Sequence, residues 1–180
     1  MYSHSLKSKD IDIILDYPEL AKLRESHDVF KNDRLKKYEI KEGDFDVDIY
    51  LPYYSELGID VKIIEENLTA REGFVVPSLE VLLLLKLRAW QSRQGSVKGK
   101  KDELDILSLI ILPEFNWEKY LSLVEELDLG AYNDSLISLI EKTRRIGELG
   151  VNEQKMAKIR KDIFDKMRFY GNQAGGQSEN

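Results

Sequence analysis

A chain of 180 residues, 42% hydrophobic and 33% charged, is sized for one domain or for one domain with a helical extension. The lack of cysteine excludes disulfides, thiolate zinc sites and a cysteine nucleophile, and the net charge of −6 argues against a general nucleic-acid coat while leaving room for a local basic patch. The longest purely apolar run, residues 81–85, is far too short to span a bilayer and no signal-peptide pattern opens the chain, so a cytoplasmic protein with no membrane attachment is expected.

Residues 8–15, Ser8-Lys9-Asp10-Ile11-Asp12-Ile13-Ile14-Leu15, read as a β-strand. Side chains two apart on a strand share a face, which sets Asp10 and Asp12 on one side and Ile11, Ile13 and Leu15 on the other. The Cα atoms of the two aspartates then lie about 6–7 Å apart. Two readings stand for such a pair: a divalent cation shared between the carboxylates, or a wet polar face on an edge strand.

Asp16-Tyr17-Pro18 makes a turn into a short helix ending near Ser26 or His27. Residues 35–40 and 44–51 read as two strands of a hairpin turning at Lys41-Glu42-Gly43-Asp44. In the second strand Asp44, Asp46 and Asp48 share one face, and Phe45, Val47 and Ile49 the other. If that strand lies beside residues 8–15, Asp48 joins Asp10 and Asp12; the alternative is a solvated hairpin face. Residues 61–64 and 73–76 read as two further short strands, the latter stopped by Pro77.

Ser78 then caps a helix over 79–90 whose leucines cover nearly its whole circumference, so it is expected to be the central buried helix. Lys86 within it must reach water or an anion. A basic stretch follows, Arg88, Arg93, Lys98, Lys100 and Lys101, across a connection softened by Gly95, Ser96 and Gly99. The next helix opens at Lys101 and runs to about residue 112, with Asp102 and Asp105 on one face; as acids in a first turn, these also suit the helix dipole. Asn116 caps a helix over 117–127, Asn133 or Asp134 one that ends near 145, and a last amphipathic helix covers about 153–169. Neither His4 nor His27 has a metal-ligand spacing, and Trp90 and Trp117 read as packing residues.

In order and spacing, Lys9-Asp10-Ile11-Asp12, Asp46-Val47-Asp48-Ile49-Tyr50, Pro77-Ser78-Leu79-Glu80 leading to Leu85-Lys86-Leu87-Arg88, and Lys101-Asp102-Glu103-Leu104-Asp105-Ile106 resemble the nucleotidyltransferases of the polymerase-β-like superfamily, in particular abortive-infection and toxin–antitoxin members. The resemblance covers residues 8–112. It implies an α+β fold, a mixed-sheet nucleotidyltransferase core flanked by helices over 1–77 and a helical bundle over 78–170; residues 171–180 have the composition of a disordered tail. It implies transfer of a nucleoside monophosphate from an NTP to an acceptor hydroxyl on RNA (tRNA-like), protein or a small molecule, with an antitoxin or other partner chain. Asp10, Asp12 and Asp48 would hold two Mg²⁺ ions, with Asp48 helping to deprotonate the acceptor. Ser8, Lys9, Lys86, Lys101, Asp102 and Asp105 would meet the nucleotide. The chain departs from the family pattern ahead of the first aspartate, where nine residues contain no glycine and the phosphate-cradling Gly-Ser pair is missing. A start further upstream, a partner chain supplying the piece, or a catalytically deficient binding module each accounts for this.

Overall fold

The structure is a computed structural model that describes residues 10–43 and 45–174. Ser8, Lys9, Asp44, His4 and the last six residues of the expected tail lie outside the described residues. Among those described the fold is mixed α and β, with seven helices, a four-stranded mixed sheet and a two-stranded sheet. They divide into two compact units, residues 10–68 and residues 69–174.

The first unit is built on a sheet of β1 (Asp10–Ile14), β2 (Phe30–Asn32), β3 (Lys37–Glu42) and β4 (Phe45–Tyr50), in the order β1-β4-β3-β2. β3 and β4 form the expected hairpin, and β1 lies parallel to β4 along the far edge. The alternation does what period-two patterning requires. Tyr38, Ile40 and Ile49 bury on one face with Leu20 and Leu51, and Ile13, Leu15 and Val47 pack against them. Leu20 comes from α1 (Tyr17–Leu23), which starts where the Asp-Tyr-Pro turn was read. Asp16 and Glu19 close a capping box there: Asp16 Oδ1 accepts from the Glu19 N–H at 2.7 Å and Glu19 Oε2 from the Asp16 N–H at 2.8 Å.

Residues 61–64, read as a strand, are instead the start of α2 (Val61–Glu66). Asp60 caps it through the Lys62 N–H, and Val61 and Ile64, three apart, both bury. Four residues are too few to separate a period of two from one of 3.6, and the cap decides. β2 was not anticipated; it is three residues long and pairs only with β3.

The second unit opens with the hairpin of β5 (Leu68–Arg71) and β6 (Phe74–Pro77). Its two-residue turn, Glu72-Gly73, has φ of 51° and 84°, the paired positive values that match strand twist. Next come α3 (Leu79–Arg93), α4 (Val97–Ile110), α5 (Trp117–Glu126), α6 (Gly130–Lys142) and α7 (Glu153–Ala174). α3 is the central helix, packed by α4, α5 and α6, with Val81, Leu83, Leu84 and Leu87 inaccessible to solvent. Trp90 and Trp117 are both buried, as read.

Several helix ends differ from expectation. α4 starts four residues early because Ser96 Oγ accepts from the Gly99 N–H at 2.9 Å, a cap that draws Gly99 into the helix. α6 starts at Gly130, ahead of Asn133 and Asp134, and ends at Lys142. α7 runs through Ala174, so residues 171–174 are helical where a tail was expected. No helix is long and apolar enough to cross a membrane among the described residues.

Candidate functional site

The parallel register of β1 on β4 sets Asp10 opposite Asp46 and Asp12 opposite Asp48. Neighbouring strands lie about 4.8 Å apart, so the carboxylates of Asp10, Asp12, Asp46 and Asp48 rise from adjacent positions on the face away from the core. The antiparallel register of β3 adds Glu39 opposite Asp48 and Lys41 opposite Asp46. Five carboxylates therefore share this polar face with Lys37 and Lys41.

Lys37 organises one side of it. Its Nζ donates to Asp48 Oδ2 at 2.5 Å and to Glu39 Oε1 at 3.0 Å, with the three side chains only 13–20% exposed. Asn32 Nδ2 donates to the same Glu39 oxygen at 2.9 Å. Burial alone would lower the Lys37 pKa, but the hydrogen bonds to Asp48 and Glu39 outweigh it and hold the ammonium above its ordinary value. Glu39 is held below the usual carboxylate range by the Asn32 bond first and the Lys37 bond second.

Tyr50 organises the other side. Its hydroxyl donates to Asp12 Oδ1 at 3.0 Å. Burial, then the charges of Asp12 and Asp48, push this phenol well above its ordinary range, so it remains a donor at any physiological pH.

A divalent cation fits the donor chemistry of Asp10, Asp12 and Asp48, which is oxygen-only, and their placement on neighbouring strands. The side chains as they stand are engaged elsewhere, Asp48 by Lys37 and Asp12 by Tyr50. Among the described residues no three His, Cys, Asp or Glu side chains are gathered to hold a metal ion. Ion binding through Asp48 Oδ2 would displace the Lys37 ammonium from that oxygen.

The other residues read as nucleotide contacts lie in the helical unit. Lys86 Nζ donates to Asp105 Oδ2 at 2.7 Å, which satisfies the lysine within the apolar helix. Asp102, 3% exposed at its side chain, takes a two-pronged bond from Arg93, Nε to Oδ2 at 2.5 Å and Nη2 to Oδ1 at 2.8 Å. Trp90 Nε1 donates to Glu103 Oε1 at 3.1 Å. Asp102 and Asp105 thus tie α4 to α3, while Lys101 is exposed.

Lys37, Glu39 and Tyr50 were missed by sequence reasoning. Their signal was present: Tyr50 continues the parity of Asp46 and Asp48, and Lys37 and Glu39 alternate on a strand whose hairpin register aims them at those aspartates. Compared with protein-family models, curated proteins and solved structures, the chain matches none.

Proposed function

We propose that the chain is a Mg²⁺-dependent nucleotidyltransferase of the polymerase-β-like type, moving a nucleoside monophosphate from an NTP to an acceptor hydroxyl. One observation carries the reading: two strands far apart in sequence pair in parallel with Asp12 opposite Asp48 and Asp10 beside them. Carboxylates on adjacent strands repel unless a cation lies near them, and a divalent metal would supply that charge.

In this reading Asp10, Asp12 and Asp48 would hold the metal, which when bound would offset the triphosphate charge and polarise the α-phosphorus. Asp48 accepts the proton of the acceptor hydroxyl as that oxygen bonds to the α-phosphorus. The bridging α–β P–O bond breaks, and pyrophosphate departs with the electron pair. Tyr50, donating to Asp12 Oδ1, fixes the orientation of that carboxylate. Within the helical unit Asp105 orients Lys86, and Asp102 fixes the start of α4 through Arg93. An NTP-consuming reaction belongs in the cytoplasm, with RNA or protein as acceptor and a partner chain of the antitoxin kind.

A second reading, a nucleotide- or partner-binding module without turnover, is favoured by the engagement of Asp48 by Lys37. The test incubates the full chain with Mg²⁺, α-phosphate-labelled NTPs and either total tRNA or purified protein. Label transferred by wild type and abolished by Asp10→Ala/Asp12→Ala supports the enzyme. NTP binding by calorimetry without transfer supports the module, and neither binding nor transfer overturns both.

A further inference from the structure

An open cleft of about 910 Å³ lies wholly within the helical unit, walled by the C-terminal end of α3, one side of α4, α6 and the segment after α6. Its size is at the upper end of the range of about 300–1,000 Å³ usual for small-molecule sites. The floor is apolar, from Leu104, Leu107 and Leu139. The rim carries Lys100, Lys142, Arg144 and Arg145, all exposed.

None of these four cations makes an ion pair among the described residues, whereas Lys37, Lys86 and Arg93 are all paired. The acids that also line the cleft, Glu103, Asp134 and Glu148, are not within ion-pair distance of them, and Glu103 is occupied by the Trp90 indole. Helix stability explains part of the set only. Lys142 closes the last turn of α6, where the dipole favours a cation, but Lys100 stands in the first turn of α4, where it does not and where no acid offsets it.

The backbone that carries the arginines is anchored on both sides. Arg160 donates to the Ile140 carbonyl at 3.1 Å and to the Thr143 carbonyl at 2.5 Å, just before them. Ile146, just after, is buried and exchanges two backbone bonds with Val151, at 2.8 and 3.0 Å. Arg144 and Arg145 therefore sit on a segment fixed at both ends, so less ordering remains to be done when an anion arrives.

We propose that this cleft binds a small phosphorylated organic molecule, its phosphoryl groups held by Lys100, Lys142, Arg144 and Arg145 and its less polar body against Leu104 and Leu139. The site uses none of the sheet carboxylates and stands apart from the nucleotidyl-transfer reading.

The test is a titration of the ¹⁵N-labelled full chain, in EDTA, with a hexose bisphosphate, inorganic pyrophosphate and a short single-stranded RNA. Trp90 lines the cleft and Trp117 does not, so their two indole N–H resonances act as reporter and control. The hexose bisphosphate is expected to shift the Trp90 resonance saturably and leave Trp117 unmoved. Arg144→Ala/Arg145→Ala, both on the surface, should weaken binding at least about tenfold, and Lys98→Ala, outside the cleft, should leave it unchanged. No movement of the Trp90 resonance, binding of RNA alone, pyrophosphate bound as tightly as the hexose bisphosphate, or binding indifferent to the arginine substitutions would each overturn the proposal.

Discussion

Lys37 and Asp48 face each other across the β3–β4 hairpin with 2.5 Å between ammonium and carboxylate, and this pair decides whether the acidic face is a metal site. Replacing Lys37 by Met leaves Asp48 and Glu39 adjacent, poorly solvated and unneutralised. Without divalent ions the variant should lose about 2 kcal/mol of stability. If the ammonium occupies the place of a cation, Mg²⁺ should restore more of the lost melting temperature in the variant than it adds to wild type. Thermal unfolding with and without Mg²⁺ measures both; equal shifts would show that Lys37 and the ion do not compete.

Glu39 supplies a pH dependence whose sign is fixed. Its folded-state pKa lies below the unfolded value of about 4.5, so its contribution is complete above that value and is lost as pH falls through the folded pKa. Asn32→Ala removes the largest cause of the depression. The variant should lose less stability than wild type between neutral pH and the acid side of pH 4.5, although it is less stable at neutrality. Urea midpoints across that range check this, and parallel curves would show that Asn32 does not hold the pKa down.

The Arg93–Asp102 strap should show marked asymmetry. Arg93→Ala abandons a carboxylate that is 3% exposed, at a cost of about 3 kcal/mol, whereas Asp102→Asn keeps an acceptor and leaves only a solvent-facing cation, at about 1–2 kcal/mol. Chemical denaturation of the two single variants and the double variant gives the coupling. Equal single costs would mean that Asp102 is better hydrated than its burial indicates.

Gly99 should resist replacement by Ala, although the exchange normally stabilises a helix by about 1 kcal/mol. A Cβ there would stand 2.3 Å from the Arg93 carbonyl oxygen and 3.1 Å from its carbon, both backbone atoms that cannot swing away. The helix must therefore shift, at about 1–3 kcal/mol net loss. A Gly99→Ala variant as stable as wild type in urea would show that the α3–α4 junction has slack.

Tyr120 is fully buried, and its hydroxyl finds no protein partner among the described residues. Burial alone raises its pKa. Tyr120→Phe keeps the ring's edge-on packing against Trp117 and drops the unsatisfied group, so stability should hold or rise by up to about 1 kcal/mol. A loss above 1 kcal/mol by calorimetry would reveal a hydrogen bond.

The sequence carried the aspartates more legibly than their surroundings. Alternation in residues 10–14 and 45–50 is a local signal, so the faces of Asp10, Asp12 and Asp48 could be read directly. That β1 lies beside β4 is a long-range fact the pattern allowed but did not compel. Lys37 escaped because a lysine near a turn reads as solvated until the register, with Glu39 opposite Asp48, brings it diagonally within reach of Asp48. α2 escaped because Val61 to Ile64 offers one turn of pattern, and its meaning rests on the Asp60 cap. The expected nucleotide role of Asp102 and Asp105 came from the family resemblance, which says nothing of the Arg93 and Lys86 side chains that take up their oxygens.

The parallel seam also has a kinetic side. The β3–β4 hairpin closes over a few residues, but the Tyr50–Asp12 bond joins positions 38 apart, so β1 meets β4 only after a long loop has been closed. The hairpin is then expected to form before β1 docks, which would bring the aspartates together late in folding. Substitutions that relieve their repulsion should slow unfolding more than they speed folding.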